Sequence, residues 1–221
     1  MKRVLEPEIM NDEEQAIAYS KADFSSSNQW FVNHLIHDYS SYLYYVLDIG
    51  CRPADVPIRL ARLKPSAHIT AIDASDAMVE LAHKAVKKAG VEKQIQVIKG
   101  CLPGFRLKHR YDAVLSKDLL HHLPDPIVLW KEIKNLAKPE AVVYIMDLFR
   151  PKTTKEARNI VERVAANENP ILKGDFYNSL LASFTVEEIK KQLNKAGLDL
   201  DVRQVSERHL LIKGLINDIE H

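Results

Sequence analysis

The sequence predicts an α/β fold: a mostly parallel sheet, helices on its faces, and a ligand crevice at the carboxyl ends of the strands. Three observations lead there. Short β-favouring apolar runs alternate with segments of helical spacing from residue 44 onward. The stretch 44–59, YYVLDIGCRPADVPIR, reads as strand, tight turn and helix: Val46, Leu47 and Ile49 form the strand, Asp48 interrupts it near its end, Gly50 opens the turn, and Val56, Leu60 and Leu63 repeat at helical spacing. The runs 198–205 and 208–213 then read as a closing antiparallel hairpin. Where parallel strands end, unpaired backbone N–H groups face the crevice, which is why ligands bind there.

The other elements follow in order. Asp12, Glu13 and Glu14 open a helix through Ala18 and Ala22, and the serines at 25–27 are expected to cap a second one carrying Trp30, Phe31, Leu35 and Ile36. His34 and His37 have a spacing that permits shared metal ligation, but no further ligand cluster accompanies them, and they read as solvated helix-face side chains. The second strand, 68–72, ends at Asp73. Ser75 and Asp76 then open a helix with Met78, Ala82, Ala85 and Ala89 on one face, and Gly90 stops it. Asp73 lies 23 residues after Gly50, the place where a strand-end carboxylate offers its two oxygens to a ribose diol.

A third strand, 95–98, precedes GCLPGF, and a fourth, 111–116, leads into KDLLHHLPDPIVLWKEI. Pro126 suits the first turn of a helix bearing Leu129, Ile133 and Leu136. The tandem His121 and His122 suggest zinc, yet neighbours in sequence rarely point the same way and H-E-x-x-H spacing is absent, so no metal site is expected. One histidine is expected to line a pocket while the other packs, and His121 is the candidate base or substrate contact. The fifth strand, 141–146, ends at Asp147. Helices reaching roughly to Leu181 follow, with Phe149, Arg150, Asp175, Tyr177 and Asn178 in a region suited to substrate specificity. Thr185 and Glu188 form a capping box for the helix with Val186, Ile189, Leu193 and Ala196, which Gly197 ends.

At 221 residues and 46% hydrophobic content the chain can bury one substantial core. The expected organisation is an N-terminal helical cap over 1–43 and one globular domain over 44–221. With 31 basic and 30 acidic side chains the formal charge is +1, which gives no bulk electrostatic reason to bind nucleic acid or a membrane surface. Cys51 and Cys101 fall in predicted loops and are expected as free thiols. No signal-peptide core and no run of about eighteen apolar residues occurs, so a cytoplasmic protein is expected. Oligomeric state stays open.

Taken together, these stretches resemble the S-adenosylmethionine-dependent methyltransferases of Rossmann-like fold. VLDIGC is similar to their first motif, V-L-D-x-G-C-G-x-G. AIDASDAM matches D-x-S-x-x-M, and the fourth motif matches at Asp112, Val114, Ser116, Leu120, His121, His122, Leu123, Asp125 and Pro126. The resemblance covers residues 12 to 213. It implies a three-layer sandwich around a twisted, mostly parallel seven-stranded sheet with the antiparallel hairpin at its end. It also implies S-adenosyl-L-methionine as cofactor, a small-molecule methyl acceptor, and cofactor contacts from Tyr19, Asp48, Gly50, Cys51, Asp73, Ala74, Met78, Cys101, Leu102 and Ser116.

The chain departs from the family at Arg52 and Ala54, where glycines are usual, and at Cys101, where many relatives carry an adenine-binding aspartate. Alanine disfavours positive φ, and arginine adds bulk and charge. Turned outward, or paired with the methionyl carboxylate, Arg52 leaves the site open; turned inward, it fills the methionyl end. The expectation is that the pocket survives and only the loop has drifted. A methyltransferase fold that serves as a binding or regulatory partner is the alternative. A nicotinamide-dependent oxidoreductase lacks G-x-G-x-x-G and would end in a parallel strand.

Overall fold

A computed structural model describes residues 1–6, 24–107 and 109–216. The expected first helix and Tyr19 lie outside these residues. Seven strands form one sheet: β1 (Tyr45–Ile49), β2 (His68–Asp73), β3 (Ile95–Lys99), β4 (Tyr111–Lys117), β5 (Ala137–Leu148), β6 (Asp201–Gln204) and β7 (His209–Leu215), in the order β3-β2-β1-β4-β5-β7-β6. The first five run parallel, with Val46 beside Ile69 on one side and Ala113 on the other, whereas β7 lies antiparallel to both β5 and β6. This is the seven-stranded sheet with a terminal antiparallel hairpin that the sequence led us to expect.

Seven helices among the described residues surround the sheet: α1 (Ser25–Tyr39), α2 (Asp55–Leu63), α3 (Asp76–Ala89), α4 (Ile127–Leu136), α5 (Thr154–Val164), α6 (Pro170–Ala182) and α7 (Val186–Ala196). Alternate residues of β1 serve opposite faces, as the two-residue period of a strand requires. Val46 joins a core with Phe31, Leu35, Leu60 and Ala82, while Leu47 joins one with Leu129, Trp130, Ile133 and Ile189.

Local signals account for most boundaries. The Ser75 hydroxyl accepts from Met78 N at 3.4 Å, and Gly90 ends α3 in the left-handed region. The serines at 25–27 are a correction: Phe24 occupies the cap position of α1, and the Ser27 hydroxyl donates back to Phe24 O instead of accepting a helix N–H.

The capping box before α7 is complete, with Glu188 N donating to Thr185 Oγ1 at 3.3 Å and Thr185 N to Glu188 Oε2 at 3.0 Å. Thr185→Ala should therefore cost about 1 kcal/mol of stability by urea unfolding and leave ligand affinity intact. Loss of binding at unchanged stability would place this helix in the site.

Candidate functional site

The loop after β1 is built on hydrogen bonds from its own N–H groups. Gly50 N and Cys51 N both donate to Ile72 O at 2.8 Å, Arg52 N donates to Asp73 Oδ2 at 2.8 Å, and Ala54 N donates to Cys51 O at 2.9 Å. These bonds hold Gly50, Arg52 and Ala54 at φ of 81°, 52° and 65°. The left-handed conformation that glycines usually supply is adopted here by an arginine and an alanine. At Gly50 a Cβ would come within 3.1 Å of Leu119, so close approach as well as φ requires glycine there.

Three cavities meet at this loop. One of about 190 Å³ is lined by Gly50, Asp73, Ala74, Met78, Cys101 and Leu102. A second, of about 310 Å³, faces Asn28, Asp48, Cys51, Pro53 and Asp55. A third, of about 140 Å³, is lined by His121, Leu172, Phe176, Ser179, Arg208 and His209. The first two bring together all the expected contacts among the described residues except Ser116. That side chain is fully buried, and its hydroxyl donates to Ile49 O at 2.8 Å, fastening β4 to β1. Both cysteines are free thiols, Cys51 buried and Cys101 exposed.

Arg52 and Asp118 border all three cavities. The guanidinium turns inward, donating to Asp118 O at 2.7 Å and standing 3.7 Å from Asp118 Oδ2. Lys117 Nζ reaches the same carboxylate at 2.5 Å. Burial alone would raise the Asp118 carboxyl, but Lys117 and Arg52 hold it well below the usual carboxylate range. Asp48 behaves in the opposite way: burial, reinforced by the nearby Asp73, pushes it up to about 7 against the pull of Lys117 and Arg52. Asp73 Oδ1 accepts Ser75 N at 3.0 Å and Oδ2 accepts Arg52 N. Each of its oxygens keeps a further lone pair for a ligand hydroxyl.

His121 lies in a short 3₁₀ turn, Leu120–His122, after β4. Its Nδ1 meets Asp147 Oδ1 at 2.6 Å, and Asp147 also accepts Leu120 N and Leu148 N, each at 2.7 Å. Nε2 of His121 is buried without a hydrogen-bond partner. Burial pulls this imidazole down, Asp147 pushes it up, and the net shift is upward. His122 contacts Glu6 through Nδ1, and burial lowers it overall. Contrary to expectation, the two rings lie together, with centroids 4.0 Å apart, because Asp147 holds one and Glu6 the other.

Asp118, Asp147, Arg208 and His209 were not singled out from sequence as site residues. Asp118 directly follows β4 and Asp147 is the penultimate residue of β5, close to the strand-end position that exposed Asp73, and so both carried a usable signal. Arg208 and His209 come from the hairpin, and only the antiparallel β5–β7 register brings them to the crevice.

Residues 46–140 match the family described as a methyltransferase domain. Over that stretch, 95 of its 221 residues, the chain resembles such domains. It is 30% identical over 105 residues to a ubiquinone biosynthesis O-methyltransferase of Aeromonas salmonicida, covering 48% of this chain and 43% of that protein. It is 31% identical over 105 residues to ribosomal RNA large subunit methyltransferase G of Aliivibrio fischeri, covering 47% and 27%. The match thus spans less than half the length of these curated relatives. A S-adenosylmethionine-dependent methyltransferase from Aquifex aeolicus superposes with a TM-score of 0.70 at 19% identity, covering 93% of this chain and 98% of that one, a likeness of fold. In this chain the carboxyl ends of β1, β2 and β4 border the cavities around Arg52.

Proposed function

We propose that the chain transfers a methyl group from S-adenosylmethionine to a small-molecule acceptor seated between His121 and Phe176. The observation that carries this reading is the cavity of about 190 Å³, where six of the expected contacts converge, the Asp73 carboxylate among them. The fit is good in its adenosine half. Asp73 has lone pairs for the ribose hydroxyls, and Ile72, Met78, Leu102 and Phe105 offer apolar surface to a base. Asp48 lines the neighbouring cavity, where the methionyl half would be held, and the Arg52–Asp118 contact borders both cavities and would have to open to admit it.

When bound, S-adenosylmethionine supplies an electrophilic methyl on a sulfonium sulfur. The chain's own contribution is alignment and exclusion of water. Lys117, Arg52 and Asp118 form the partition between the cofactor and acceptor cavities, and Phe176, Leu172 and Leu148 give the acceptor an apolar seat. An acceptor of small-molecule size suits a cavity of about 140 Å³ and a chain of formal charge +1. The ribosomal RNA methyltransferase among the relatives means that family likeness alone does not separate small from nucleic-acid acceptors. No helix among the described residues is long and apolar enough to cross a membrane.

Titration calorimetry with S-adenosylmethionine tests the reading, and Arg52→Gly sharpens it. Opening the crevice no longer breaks a charge-assisted hydrogen bond in this variant, and glycine also relieves the left-handed φ. Affinity should rise by about 1 to 2 kcal/mol, roughly 5- to 30-fold. A fall in affinity would mean that Arg52 swings to hold the ligand's carboxylate. If the natural protein fails to bind while the glycine variant binds at micromolar concentration, the contact is a block, and the reading as a non-catalytic binding partner replaces methyl transfer.

A further inference from the structure

We propose that Glu6, His121 and His122 form a binding site for a divalent transition metal of the zinc type. One ring nitrogen of each histidine and a carboxylate oxygen of Glu6 all lie within 4.8 Å of one another. In a tetrahedral zinc site with bonds of about 2.0 to 2.1 Å, ligand atoms stand roughly 3.3 Å apart, so a small inward closure completes the set. Two imidazoles and one carboxylate are the donor types of open zinc sites, which leave a position for water or substrate.

A second, independent feature points to a ligand here. His121 is 1% exposed, and its Nε2 has no hydrogen-bond partner. An orphaned buried nitrogen is destabilising, and a metal bound there would remove that cost. Asp147 engages the other nitrogen at 2.6 Å and is itself held by Leu120 N and Leu148 N. A carboxylate that receives the far N–H of a histidine fixes its tautomer and raises its basicity, the usual support behind a metal-bound imidazole. His122 and Glu6 are already in contact, and the cation would replace the proton they share.

The chain's first residues are fastened over this spot. Arg3 donates to His121 O at 2.8 Å and Leu123 O at 2.9 Å, Val4 N donates to Leu181 O at 3.0 Å, and Ser179 Oγ donates to the second oxygen of Glu6. Glu6 is thereby delivered to the two histidines from more than a hundred residues away in sequence. His121 borders the acceptor cavity and His122 the adenosine-side cavity, so the ion would stand in the wall between them. If the methyl-transfer reading holds, its open position faces the acceptor, where a Lewis acid lowers the pKa of an acceptor hydroxyl. The binding site itself does not rest on that reading.

Zinc chloride is titrated into the full-length, chelator-stripped protein without S-adenosylmethionine, in competition with a chromophoric chelator, and magnesium chloride is titrated in parallel. The expected result is one zinc per chain with a Kd below about 1 μM and no magnesium binding, because magnesium prefers oxygen ligands. Glu6→Ala and His122→Ala should each weaken zinc at least 30-fold, and Asp147→Asn about 10- to 100-fold. His34→Ala with His37→Ala should change it less than twofold. Absence of zinc binding overturns the proposal, and so does zinc binding that survives both Glu6→Ala and His122→Ala. Because S-adenosylmethionine affinity is measured separately, failure of the metal site and failure of the methyltransferase reading give different results.

Discussion

Asp48→Asn should make the protein more stable at pH 8 by about 4 kcal/mol and leave it nearly unchanged at pH 4. Asp48 is 2% exposed at the end of β1, and burial together with Asp73 raises its carboxyl to about 7. Because the folded chain holds this proton more tightly than the unfolded chain does, the two states differ only above the unfolded pKa, near about 4. From there to about pH 7 the native state keeps a proton that the unfolded state has lost, and stability falls as pH rises. Above pH 7 the penalty is constant. Asparagine carries no charge at any pH, so the gap between variant and natural protein opens across this window. His209 contributes the opposite slope. Burial lowers it to about 4, so its share of stability is lost as pH falls from about 6.5 toward 4. The informative quantity is accordingly the difference between variant and natural protein in urea midpoints at pH 4.5 and pH 8. An equal difference at both would show that Asp48 does not titrate as described.

The same carboxyl bears on ligand binding. Asp48 borders the cavity toward which the methionyl half of the ligand would run, and S-adenosylmethionine carries a sulfonium and an ammonium. A cationic ligand favours the ionised carboxylate, so affinity should increase as pH rises through 7 in the natural protein and stay flat in Asp48→Asn.

Much of this architecture was legible because the relevant signals are local. Val46 and Leu47 are apolar neighbours buried on opposite faces, which marks a strand in a doubly covered sheet. Ser75 and Gly90 bracket α3, and Thr185 with Glu188 opens α7. The first-motif loop shows where local reasoning stops. From Arg52 and Ala54 the sequence suggested a loop that had moved, since both residues resist positive φ. In the structure, four hydrogen bonds from loop N–H groups, two to Ile72 O, one to the Asp73 carboxylate and one to Cys51 O, hold both residues at positive φ against their individual preferences. The inward turn of Arg52 depends on Asp118, 66 residues away, and the meeting of the tandem histidines depends on Glu6 and Asp147. Partners separated so far along the chain leave no periodicity to read.

Asp73→Ala should weaken S-adenosylmethionine binding by about 1.5 to 3 kcal/mol, roughly 10- to 150-fold, the range for hydrogen bonds to a charged group. The residue ends β2, and its carboxylate borders the adenosine-side cavity. It also accepts Arg52 N at 2.8 Å and Ser75 N at 3.0 Å. Removing it therefore unties the loop and the start of α3 as well as any ribose contact, and a single affinity measurement would mix these effects. Adenosine, which has the ribose but no methionyl group, separates them. Loss of a ribose contact weakens adenosine and S-adenosylmethionine by the same factor. Loss of loop order alone weakens S-adenosylmethionine, whose methionyl half passes Arg52, and spares adenosine. Equal losses for both ligands are the expected result. Unchanged adenosine affinity alongside a lowered urea midpoint would leave Asp73 as a structural anchor of the loop and remove it from the ligand site.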